Sequence, residues 1–251
     1  MAQTELFVPG GYRFIKAVFQ YSGGVVAMPG YRFVRVQFSE LVPLEEGFSS
    51  VEAFLKKQGR PLTSFCQCEL RSPAPFTEDG FRSFNEQYSE TLKRWSLFDG
   101  TTNPVARSNV CPVYDPPEKP SIFAFSYTEP DADAAPSFIV AGSAEAPEGR
   151  LNYRDYIVRL GDLSDDAIAE KARFVLDEME RRMAALGFNW SDTTGTNVYT
   201  IHDLYPIFVR EMVQRGAARS GVTWQYCRPP VVDLEFEMDC RGVSREIILR
   251  R

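Results

Sequence analysis

The same order of elements can be read from this chain twice, and that repetition constrains the fold more than any single motif does. From Tyr12 the run YRFIKAVFQYSGGVVAMPGYRFVRVQF alternates apolar and polar residues around Gly and Pro turns, which predicts early strands. PLEEGFSSVEAFLKKQG reads as a short helix closed by Gly59, and LTSFCQCEL as a strand. Thr77 can cap a second helix on which Phe81, Phe84, Tyr88, Leu92 and Trp95 fall at helical spacing. ARSNVCPVY and SIFAFSY follow as two more strands. After TEPDADAAP, a soft stretch rich in Asp, Ala and Pro, the order recurs. SFIVAGSAEAP and LNYRDYIVRL supply strands or a hairpin. Ser164 caps a helix with the stripe Ile168, Ala172, Val175, Met179, Met183 and Leu186, ended by Gly187. DTTGTNVYTI is then a strand, DLYPIFVREMVQRG a helix, and GVTWQYCRPP and LEFEMDCRG are strands.

Both halves therefore read β-β-α-β-α-β-β. Two helices on one face of a mixed sheet, twice over, is an α+β architecture in the form of a tandem duplication. The expected units are residues 1–130 and 137–251. A length of 251 residues accommodates both with a substantial core.

Composition excludes several partners. The formal charge of −6 offers nothing to a phosphate backbone or an anionic membrane. No apolar run approaches the ~20 residues of a membrane span, and MAQTELFVPGG shows no basic-then-apolar signal pattern, so a cytoplasmic location is expected. Cys66, Cys68, Cys111, Cys227 and Cys240 are odd in number and scattered, and read as free buried thiols rather than disulfides or a metal site. The single histidine, His202, has no nucleophile elbow to serve, and neither Gly-Gly pair opens a helix as a phosphate loop would. No metal and no cofactor is expected.

Arg107 poses the sharpest question. It sits on an apolar β segment, PVARSNVCPVY, where a guanidinium needs a partner. An arginine fork makes paired hydrogen bonds to a carboxylate and never loses its charge, so a ligand anion is one candidate. An internal salt bridge with an Asp or Glu is the other. Glu69 and Arg71, two apart in CELRSPAP, share one face at a strand end and suggest either site residues or a surface ion pair.

Several stretches resemble the RidA (YjgF/YER057c/UK114) family of reactive-intermediate deaminases. PVARSNVCPVYDPP followed by SIFAFSY is similar to the family's alanine-arginine-serine strand and its successor. FRSFNEQY resembles its Asn-x-x-Tyr helical element, and IVAGSAEAP and LEFEMDCRG its early and last strands. CELRSPAPF is most similar to members acting on 2-aminomuconates. The resemblance spans nearly the whole chain as two diverged copies and implies a RidA-like, chorismate-mutase-like unit in each. It further implies that Arg107, with Ser108 beside it, binds the carboxylate of a 2-imino or 2-enamino acid in a cleft between neighbouring subunits. One carboxyl group would then position water and shuttle a proton without metal or cofactor.

The copies depart from the family pattern in opposite ways. Counting from Arg107 to the family's last-strand glutamate lands at Ile122, with no acid nearby. The second copy has that acid, Glu237, but its arginine, Arg228 in YCRPP, lacks the alanine-arginine-serine context. Either the copies complement one another across an internal interface or one site has decayed. Glu69 could substitute for the missing acid, and Glu237 could instead be a structural partner of Arg241 or Arg228. The resulting expectation is a deaminase with Glu237 and Glu69 as catalytic candidates and Arg107, Ser108, Arg71 and Arg228 as substrate-binding ones. A non-catalytic small-carboxylate sensor on the same fold is the alternative, while the acidic balance argues against RNA. A homo-oligomer, with a trimer favoured, is implied by the family.

Overall fold

The computed structural model describes residues 4–150 and 152–250. Its strands are β1 (Thr4–Phe7), β2 (Tyr12–Ile15), β3 (Gly24–Ala27), β4 (Tyr31–Pro43), β5 (Phe65–Arg71), β6 (Ala106–Pro112) and β7 (Ser121–Pro130) in the first half. Then come β8 (Phe138–Ala144), β9 (Gly195–Tyr199), β10 (Thr223–Gln225), β11 (Cys227–Arg228), β12 (Glu237–Gly242) and β13 (Arg245–Leu249). The helices are α1 (Leu44–Lys57), α2 (Glu78–Arg94), α3 (Asp165–Leu186) and a single turn, α4 (Tyr205–Ile207), which a π-helical stretch, Phe208–Val213, continues.

Local chemistry accounts for the helix boundaries. The Thr77 hydroxyl accepts from the Gly80 amide at 3.1 Å, and the Ser164 hydroxyl from the Ala167 amide at 3.4 Å. Gly187 ends α3 in the left-handed conformation, φ 92°, where a side chain would be strained. The α2 stripe of Phe81, Phe84, Tyr88 and Leu92 buries against the first sheet, and the α3 stripe of Ile168, Ala172, Val175, Met179 and Met183 against the second.

The duplication is visible in strand order. The first sheet contains the four-strand set β6-β5-β7-β4 and the second the set β10-β9-β12-β8, and within each set one pair is parallel, β5/β6 and β9/β10. The remaining strands are exchanged. The β1-β2-β3 meander extends the second sheet beside β8, and β13 pairs with β4 in the first. GVTWQYCRPP splits between them: β10 lies on β9, while β11 crosses over to β6.

One expected strand is absent. Of LNYRDYIVRL, Leu151 lies outside the described residues, and the rest is loop with a single 3₁₀ turn at Arg154–Tyr156. Its alternation does not find a sheet edge. Instead, the amides of Tyr153 and Arg154 both donate to the Glu78 carboxylate at the start of α2, which ties the segment down as a loop.

The faces of the sheets away from the helices meet through a polar layer. On β12, Met238 and Cys240 enter the apolar core while Glu237 and Asp239 point the other way, all buried. β8 crosses β6 very closely: a Cβ on Gly142 would lie 3.2 Å from the Ser108 Cα. A side chain at 142 would crowd Ser108 and Glu237, so glycine suits this approach. The five cysteines are all free and buried.

Candidate active site

Arg107 is 2% exposed and has no salt bridge; its Nη1 is buried without a hydrogen-bond partner among the described residues. It projects from β6 toward α2 into a ring of aromatic faces. Its guanidinium carbon lies 5.0 Å from the Tyr21 ring centre, 5.0 Å from Tyr88, 5.5 Å from Phe81 and 5.8 Å from Phe84. These π faces offset part of the cost of burying the charge but supply no hydrogen-bond acceptor for the fork. Tyr21 reaches Arg107 because the loop before β3 docks on β6, with the Ser22 amide donating to the Val105 carbonyl at 2.9 Å.

The cavity beside Arg107 lies between the two units. Tyr21, Phe81, Arg107 and Asn109 come from the first, and Gly142, Ser143, Glu148, Tyr153, Leu234 and Glu237 from the second. Arg107 and Glu237 thus face one space from opposite sheets. Burial pushes the Glu237 carboxyl well above the usual carboxylate range; nearby Asp239 adds to the rise and Arg107 opposes it. A carboxyl group whose pKa is raised in this way holds its proton to higher pH than an exposed one, which suits giving a proton and taking it back.

The other sequence-predicted residues lie elsewhere. Glu69 is not in the cavity: it forms a two-pronged pair with Arg35, at 2.6 and 2.8 Å, within the polar layer. Burial alone would raise its pKa, but Arg35 outweighs this and holds it down at about 2. Arg71 donates to the Leu70 carbonyl and to Gln225 Oε1, each at 2.8 Å, and stacks 4.3 Å over Phe123. Ser108 points into the layer and donates to Asp239 at 2.5 Å, where Asn197 and Tyr199 also donate at 2.8 Å. Arg228 pairs with Glu235 at 3.0 Å, which also meets His202 at 2.8 Å, so both stand outside the cavity. Of the predicted set, the structure brings Arg107 and Glu237 together and leaves Glu69, Arg71, Ser108 and Arg228 in internal pairs.

Sequence reasoning passed over Tyr21, Asn109, Gly142, Glu148 and Tyr153. Gly142 lies in the small-residue turn VAGSAEAP, which was a usable signal; a Cβ there would meet the Glu237 carboxylate oxygen at 2.3 Å. Glu148 accepts from the Tyr21 hydroxyl at 2.7 Å and pairs with Arg182 at 3.0 Å. Nothing local in the sequence indicates this. Among the described residues there is no group of three or more His, Cys, Asp or Glu able to hold a metal ion, and no helix is long and apolar enough to cross a membrane.

The paired registers allow the two units to be compared position by position. Gln67 of β5 stands opposite Ala106 and Ser126, and Asn197 of β9 stands opposite Thr223 and Asp239. Laying these frames on one another puts Trp224 in the place of Arg107 and Ala124 in the place of Glu237. In this frame the first unit carries the candidate arginine without the acid, and the second the candidate acid without the arginine.

Comparison with known proteins agrees with this architecture. The family model described as 2-aminomuconate deaminase CnbZ matches residues 4–247. A 2-amino-5-chloromuconate deaminase of Comamonas testosteroni is 50% identical over 251 residues, covering 99% of this chain and all of that protein. Among solved structures, a chorismatase aligns with TM-score 0.54 at 14% identity, over 88% of this chain and 77% of its own. The YjgF gene product of E. coli aligns with TM-score 0.32 at 19% identity, over 43% of this chain and 81% of its own.

Proposed function

Since this chain belongs to the 2-aminomuconate deaminase family CnbZ, we propose that it hydrolyses a 2-aminomuconate, or a closely related enamine or imine acid, to the 2-oxo acid and ammonia. The observation that carries this reading is that Arg107, with no salt bridge and an unpartnered Nη1 among the described residues, and the buried Glu237 carboxyl line one cavity from opposite sheets. Arg107 holds the carboxylate next to the amino-bearing carbon. Glu237 gives its proton to the enamine carbon, which creates an iminium and a carboxylate. That carboxylate takes a proton from water as the oxygen bonds to the C=N carbon. The restored acid then protonates the nitrogen while the carboxylate so formed accepts the hydroxyl proton. The C–N bond breaks, ammonia leaves, and Glu237 ends as it began. Burial of Arg107 strengthens its attraction to the anion relative to bulk water.

A sensor without turnover was favoured only by the lack of a last-strand acid in the first unit. The second unit supplies that acid, so this support falls away. The test pairs ammonia release with denaturant unfolding in wild type, Arg107→Lys and Arg107→Ala. Charged hydrogen bonds contribute about 1.5–3 kcal/mol each, so the Lys variant should lose at least about tenfold in kcat/KM, and the Ala variant more, both remaining folded. Arg107→Ala that unfolds readily while its folded fraction turns over normally would make the arginine architectural. No ammonia from wild type with 2-aminomuconate would end the deaminase reading.

A further inference from the structure

Asn109 stands two residues beyond Arg107 on β6 and lines the same cavity. It is 2% exposed, and its Nδ2 is buried without a hydrogen-bond partner among the described residues, as is Arg107 Nη1. Its Oδ1 accepts from the Ser72 hydroxyl at 2.9 Å, which turns the amide so that its N–H groups face away from β5. A buried donor left without an acceptor is costly, and a cavity holding two of them is built for a ligand with two acceptors.

We propose that Asn109 reads the second carboxylate of a dicarboxylate substrate, so that Arg107 and Asn109 together select a six-carbon dienedioate over a monocarboxylate. This rests on the deaminase reading above and adds the substrate's far end to it. An amide N–H can only donate; the iminium nitrogen of the substrate has no lone pair to accept it, and the enamine nitrogen's lone pair is delocalised into the conjugated chain, so neither satisfies it. The acceptor must therefore be oxygen. Residues i and i+2 on one face of a strand are separated by about 6.7 Å, a spacing that suits the two ends of a muconate chain rather than the two oxygens of one carboxylate. Glu237, from the opposite sheet, then faces the chain between its anchored ends, where the reacting carbon lies.

The experiment measures binding by calorimetry and so does not depend on turnover. Its probes are muconate and sorbate, which share a carbon chain and differ by the second carboxylate. Wild type should bind muconate at least tenfold more tightly than sorbate. Asn109→Asp keeps the shape and the acceptor for Ser72 but opposes an anion; it should remove that preference and leave sorbate binding within about twofold. Asn109→Ser, a shorter side chain, serves as a second variant should the Asp form fold poorly. Equal affinity of wild type for the two probes, no binding of muconate, or an equal loss for both in the variants would overturn the proposal. Failure of ammonia release with the muconate preference intact would instead refute the deaminase reading alone.

Discussion

Two buried glutamates show how a side chain's partner decides its use. Glu69 and Glu237 are both shielded from water, yet Arg35 lowers the pKa of one while burial raises that of the other. For Glu69 the lowered folded-state pKa means that its stabilisation is complete above the unfolded value of about 4.3 and is lost as pH falls through about 2. Glu69→Gln should leave Arg35 short of its main partner and destabilise the protein by about 3–5 kcal/mol at neutral pH, measured by urea unfolding, with the loss shrinking in acid. Its folded fraction should retain near-normal KM. For Glu237 the sign reverses. Its raised folded-state pKa makes it most compatible with folding below about 4.3, and it destabilises progressively as pH rises toward the point at which the folded carboxyl ionises. Glu237→Gln should therefore match wild-type stability in mild acid and exceed it increasingly at higher pH, while ammonia release falls by at least a hundredfold. A variant that is both inactive and less stable across this range would show that the carboxyl is structural.

At the level of elements, the helices and most strands were legible because their signals are local. The capping hydroxyls of Thr77 and Ser164, the apolar stripes of α2 and α3, and Gly187 act within one or two turns of chain. The alternation in LNYRDYIVRL was equally local and misled, because a strand forms only where another strand offers an edge. Arg107 was legible as an arginine out of place on a β segment, and Glu237 as an acid between apolar neighbours. Glu69 and Arg71 share that signature, and only the contacts made by β4 and β10, distant in sequence, separate architecture from site. Asn109 carries no signal at all until Ser72 is seen to hold its oxygen. The crossing of β8 over β6 is the element-level feature that sets the position of the Glu237 carboxyl. Gly142→Ala would place a methyl group 2.3 Å from the Glu237 Oε1, an atom at the end of a movable side chain, and 3.2 Å from the Ser108 backbone. It should fold with a modest loss of stability and show a fall in kcat larger than its rise in KM, since the acid is displaced while the arginine clamp stays. An unchanged kcat would mean that Glu237 tolerates displacement and does not work at a defined distance from substrate.

Across the whole molecule, the duplication brings two candidate residues to one cavity, Arg107 from the first unit and Glu237 from the second. The units proposed at residues 1–130 and 137–251 repeat each other in strand order, but the β1-β2-β3 meander sits on the second sheet and β13 on the first, so the exchange holds the composite cavity in register. Symmetry would give a second cavity, formed by the opposite faces. There, Trp224 replaces the arginine, 44% exposed and donating its indole N–H to the Thr200 carbonyl at 2.9 Å, and Ala124 replaces the acid. Neither can hold an anion or move a proton. Calorimetric titration with muconate should therefore saturate at one ligand per chain, and Arg107→Ala should remove all of the measurable binding heat rather than half of it. Trp224→Ala should leave the stoichiometry and ammonia release near wild-type values. Two ligands per chain, or residual high-affinity binding in Arg107→Ala, would mean that the second unit has kept an anion site built from residues other than the counterparts of Arg107 and Glu237. One ligand per chain would establish that duplication here led to division of labour: one copy retained the clamp, the other the proton, and the face between them became the only place where both meet.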